Sequence, residues 1–128
     1  MFRRNSLDVM ESLVGAATQV DGQLQFSGGL RIDGRVRGDV VADPEQHSYL
    51  VISEHGRVDG EVRCAHLVVN GEIRGAVLST ELLEIQPKAR IIGDVQYNIL
   101  EMHGGALIAG RLSRYESDTV LHLAVSEA

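Results

Sequence analysis

The sequence predicts an all-β chain wound as a parallel β-helix of about six coils. Three observations predict it. A five-residue phrase, aliphatic–spacer–glycine–spacer–aliphatic, recurs six times, centred on Gly22, Gly38, Gly60, Gly75, Gly93 and Gly110. The glycines are 16, 22, 15, 18 and 17 residues apart, and self-similarity at that period marks a solenoid. Within each copy apolar and polar residues alternate with period two, the pattern of a strand; helices would carry apolar spacing near 3.6 and lose about 1 kcal/mol per glycine.

The elements follow in chain order. Residues 1–14 form a short head, 15–113 the repeat array and 114–128 a tail. Each coil opens with a strand whose outer positions are apolar: Leu30-Arg31-Ile32, Leu50-Val51-Ile52, Leu67-Val68-Val69, Leu83-Glu84-Ile85 and Leu100-Glu101-Met102. A corner comes next, at Gly34, Gly56, Gly71, Ala89 and Ala106. Asp33-Gly34 and Asn70-Gly71 are pairs that tolerate positive φ, so a sharp bend through that region is expected. The glycine phrase then supplies two further short strands. Its first aliphatic positions, such as Val36, Val58, Ile73, Ile91 and Ile108, should stack as an interior ladder at about 4.8 Å per turn. One insertion, Ala42 to Ser48 with Asp43-Pro44-Glu45-Gln46-His47 inside it, reads as a surface loop at one corner.

Composition narrows the function. The 128 residues carry a formal charge of −6, and the eleven arginines and single lysine are dispersed along the repeats, so no nucleic-acid partner is expected. Outward positions of mixed sign read as a solvated wall with no basic stripe. The lone cysteine, Cys64, excludes an internal disulfide, accords with a reducing cytoplasm and falls at a buried packing position. There is no run of 18 apolar residues and no signal-peptide apolar region.

Catalytic chemistry is not expected either: no catalytic residue, no metal site and no cofactor is assigned. Phosphate-loop and dinucleotide motifs are absent. The histidines at 47, 55, 66, 103 and 122 form no His-x-x-x-His unit, and His55 falls at a solvent-facing corner. Ser53-Glu54-His55 resembles a nucleophile–acid–base trio only on paper, because adjacent strand residues point in opposite directions.

The order of these motifs resembles the bactofilins. The resemblance is carried by Phe26-Ser27-Gly28-Gly29-Leu30-Arg31-Ile32-Asp33-Gly34, Leu50-Val51-Ile52-Ser53-Glu54-His55-Gly56, Leu67-Val68-Val69-Asn70-Gly71 and Leu83-Glu84-Ile85-Gln86-Pro87-Lys88-Ala89, and spans about Leu13 to Leu112. It implies a right-handed, three-sided β-helix that polymerises end to end without nucleotide. It also implies a cytoplasmic scaffold for cell-shape, cell-wall or polarity proteins. The runner-up is a left-handed hexapeptide-repeat acyltransferase. Against it, the coils vary between 15 and 18 residues, the coil with the insertion apart, and the internal glycine spacing of four breaks a six-residue register.

Two places are expected to carry function. A β-helix has open ends with unpaired backbone groups. Val20, Leu24 and Phe26 at one end and Leu107, Ile108 and Leu112 at the other are the expected polymerisation contacts, with Leu100 and Met102 also in the last coil. The opposing expectation is that the head covers one end and Thr119-Val120-Leu121-His122-Leu123-Ala124-Val125 the other. Met1-Phe2-Arg3-Arg4 looks like the membrane-targeting peptide of several bactofilins: Phe2 would enter the interface of the cytoplasmic membrane's inner face, and Arg3 and Arg4 would meet anionic headgroups.

Overall fold

The computed structural model describes residues 10–115. Within them the chain forms sixteen short strands and no helix, and every strand pairing is parallel. The pairings resolve into three ladders that run the length of a solenoid of about six turns.

The first ladder contains β1 (Ser12–Val14), β4 (Gly28–Ile32), β7 (Ser48–Ile52), the second half of β9 (Val62–Val69), the second half of β11 (Val77–Ile85) and β14 (Ile99–Met102). The second contains β2 (Gln19–Asp21), β5 (Arg35–Arg37), β8 (Arg57–Asp59), β10 (Glu72–Arg74), β12 (Arg90–Ile92) and β15 (Leu107–Ala109). The third contains β3 (Leu24–Phe26), β6 (Val40–Ala42), the first halves of β9 and β11, β13 (Val95–Tyr97) and β16 (Leu112–Arg114).

The expected interior ladder holds: Val36, Val58, Ile73, Ile91 and Ile108 are register partners in succession, and the structure extends the column by Val20 at its start, making six. Its four middle members are fully buried. Leu30, Leu50, Leu67, Leu83 and Leu100 stack in the same way, as do Val40, Val62, Val77 and Val95. The core is therefore a column of Val, Ile and Leu, with Cys64 among them; burial pushes its thiol far above the ordinary range. β9 and β11 run unbroken through a corner where other turns bend. A register slip between Ser79 and Leu82 marks where β11 passes that corner beside β9. Around this corner two buried hydroxyls meet one residue: Ser48 Oγ accepts the Ala65 N–H at 2.9 Å, and Ser79 Oγ donates to the Ala65 carbonyl at 2.9 Å.

The glycine column of the phrase is required by stacking. A Cβ on Gly75 would lie 2.2 Å from the Gly60 carbonyl oxygen, and one on Gly93 2.2 Å from that of Gly75. Both also sit at positive φ, 155° and 151°. The second corner column differs from expectation: Gly34, Gly56 and Gly71 have no positive φ. Close approach explains them instead, since a Cβ on Gly56 would stand 2.3 Å from the Ile32 oxygen. The insertion is the loop expected, exposed from Asp43 to His47 and closed by the Asp43 carboxylate accepting the Glu45 N–H at 3.0 Å.

The outer wall of the second ladder gathers Arg35, Arg37, Arg57, Arg74 and Arg90 with Asp21, Asp59 and Glu72 between them. Arg35 and Arg57 both reach Asp59, at 2.9 and 3.1 Å, and Arg74 reaches Glu72 at 2.5 Å. Desolvation raises the Asp59 carboxyl, but the two guanidiniums outweigh it and hold the group below its ordinary value. The Arg35–Asp59 bridge spans two turns, while Arg57–Asp59 and Arg74–Glu72 pair along one strand, so the carboxylates offset the direct opposition of Arg35 and Arg57 across the ladder.

Candidate functional site: the two solenoid ends

Each middle turn is paired above and below, whereas β1, β2 and β3 at one end and β14, β15 and β16 at the other pair on one side only among the described residues. The corner hydrogen bonds show the same break. Gly38 donates its N–H to the Asp59 carbonyl at 3.0 Å, Gly75 to Ile92 at 2.9 Å and Gly93 to Ala109 at 2.9 Å. Gly110, next in the series, has no seventh turn above it among the described residues.

Side chains mirror the backbone. At the first turn Val20, Leu24 and Phe26 are half-buried and pack against the core from one side, while Val14 is nearly enclosed. At the last turn Leu100 and Ile108 are half-buried, and Met102 and Leu112 are 46% and 41% exposed. Their register partners one turn in, Ile85 and Val95, are fully buried. The difference measures what one further stacked turn would cover.

Five of the six sequence-selected end residues therefore face the axis. Leu107 does not: its partner is the exposed Arg90, so it stands on the outer wall at the rim. Ile99, 57% exposed and partnered with Leu82, is a second rim residue that sequence reasoning missed. Alternation could have placed both. Phe2, Arg3 and Arg4, and the segment from Thr119 to Val125, lie outside the described residues.

The Ser53-Glu54-His55 trio does not converge. The Ser53 hydroxyl donates to the Ile32 carbonyl at 3.3 Å, and His55 stands 3.4 Å from Glu54 at the exposed corner. Among the described residues no helix is long and apolar enough to cross a membrane.

Residues 12–113 match the family model described as Bactofilin: Polymer-forming cytoskeletal. The chain belongs to the bactofilins. It is similar to bactofilin BacO of Myxococcus xanthus (strain DK1622), 20% identical over 111 residues that cover 87% of this chain and 85% of BacO. It is also similar to bactofilin BacP of the same strain, 26% identical over 107 residues. That match covers 84% of this chain but 43% of BacP, so the chain spans under half the length of that relative. No solved structure matches it. Bactofilin membership does not favour the acyltransferase alternative, because the family is a structural, polymer-forming one. The matched span coincides with the solenoid from β1 to the middle of β16.

Proposed function

We propose that this bactofilin assembles end to end into nucleotide-independent filaments. The observation that carries the proposal is the pair of solenoid ends, where axis-facing aliphatic side chains coincide with strand edges that are unpaired among the described residues. Exposed strand edges template pairing with another chain, and aliphatic surface adds a non-directional drive to it. Val20, Leu24 and Phe26 would form one contact, and Ile108 and Leu112 the other with Leu107 at its rim. Family likeness adds a right-handed, three-sided winding and a division into head (1–14), polymerising array (15–113) and tail (114–128).

Purified protein in buffer free of nucleotide and metal is expected to form filaments visible by negative-stain microscopy. A monodisperse monomer at high concentration would overturn the reading.

The filament would lie at the inner face of the cytoplasmic membrane and scaffold cell-wall or polarity proteins. Phe2, Arg3 and Arg4 supply the contact, each cation contributing about 1 kcal/mol near an anionic surface. One such peptide binds weakly, but a filament displaying many of them gains avidity. Co-sedimentation with anionic liposomes is expected to fall sharply for Phe2→Ala filaments; equal binding would reject the anchor.

A further inference from the structure

Glu84 and Glu101 are direct register partners on the outer face of β11 and β14, one turn apart. Among the strand partners of the described residues they are the one acid–acid pair; Asp59 and Glu72 each lie opposite arginine. Like charges directly across a ladder are destabilising, and neither glutamate has an arginine or lysine bridge among the described residues. The third group here is His103, whose Nε2 stands 4.0 Å from Glu84 Oε2. One donor atom from each of the three residues lies within 4.8 Å of the others. Gln86, two residues along the strand, donates from Nε2 to Glu84 Oε2 and orients that carboxylate. The His103 backbone is fixed by its N–H to the Ile85 carbonyl at 2.9 Å.

We propose that Glu84, Glu101 and His103 form a site for a divalent transition metal, best suited to Zn²⁺, that clips the fifth turn to the sixth. Two carboxylates and an imidazole are a donor set that Zn²⁺ accepts, and the fourth position stays open to water. The two carboxylates neutralise the ion, which removes the repulsion between them. Metal–ligand distances near 2.0–2.2 Å require the three side chains to draw together by about 1 Å. His103 is 48% exposed and Glu84 27%, so both have room to do so. The ligands come from separate turns, so no short sequence motif announces them. The site lies on the outer wall and does not depend on the proposed assembly contacts.

The test is calorimetric titration of Zn²⁺ into the metal-stripped full chain, paired with thermal melting. Wild type is expected to bind one Zn²⁺ per chain and to melt higher when loaded. Glu101→Gln and His103→Ala should each weaken binding at least about tenfold and lose the thermal shift. His55→Ala, at an exposed histidine 3.4 Å from Glu54, should behave like wild type. Unchanged binding in both site variants, or no Zn²⁺ binding by wild type, would overturn the proposal. Circular dichroism of each variant separates lost binding from lost fold.

Discussion

Arginine in place of Leu112 or Ile108 is expected to leave the chain folded and remove it from the pellet in high-speed sedimentation. Both side chains face the axis on a turn with nothing stacked above it among the described residues. In a free molecule the new guanidinium can reach water from this open end. Within an end-to-end contact it would be desolvated among aliphatic neighbours with no partner, at a cost of several kcal/mol. A penalty of about 3–4 kcal/mol per junction lowers the association constant by about two to three orders of magnitude. Leu112, already 41% exposed, is the cleaner site, since its replacement disturbs the monomer least. Val51→Arg, on the outer face of β7 in mid-solenoid, is the control and should pellet normally. A folded Leu112→Arg variant that pelleted like wild type would move the contact elsewhere.

The second large effect concerns the fold itself. Gly75→Ala is expected to lower stability by about 3–5 kcal/mol, combining backbone strain at positive φ with overpacking. The obstructing atom is the Gly60 carbonyl oxygen, 2.2 Å from the new Cβ; it belongs to the backbone of the preceding turn and cannot swing aside. A loss of that size corresponds to a fall of about 10–20 °C in melting temperature. Gly104→Ala is the matched control, because nothing lies within 4 Å of its Cβ position and its φ is not positive. It should melt within a few degrees of wild type, at about 1 kcal/mol or less. Equal melting of the two variants would show that turns can separate locally to admit a methyl group.

Most of the architecture was legible because period-two alternation and the glycine period report the same geometry. Both fix which residues face inward and how far each turn advances. Val36, Val58, Ile73 and Ile91 could be aligned from sequence alone, and the strand register places them as aligned. What spacing does not carry is the reason for a glycine. Gly71 and Gly75 look alike in the sequence, yet Gly75 needs both its dihedral and its missing Cβ while Gly71 needs the missing Cβ alone. The merging of strands into β9 and β11 was equally hidden: the corner between Tyr97 and Ile99 also lacks glycine, yet there the strands separate.

At the ends, alternation identified Ile108 and Leu112, but Leu107 was drawn in by hydrophobicity although its parity places it outward. The Glu84–Glu101–His103 cluster needed the register itself. Seventeen residues separate the two glutamates, and only the length of that turn makes them neighbours.

The two serines around Ala65 have a consequence for how the chain finds its order. Turns lined by interchangeable aliphatic residues could mate with the wrong neighbour, skipping a winding while still hiding their grease. Ser48 and Ser79 break that degeneracy, because each hydroxyl is satisfied only when the winding carrying Ala65 lies between theirs. A misthreaded molecule would strand both in a dry interior, so two small polar groups act as an address label on an otherwise anonymous stack.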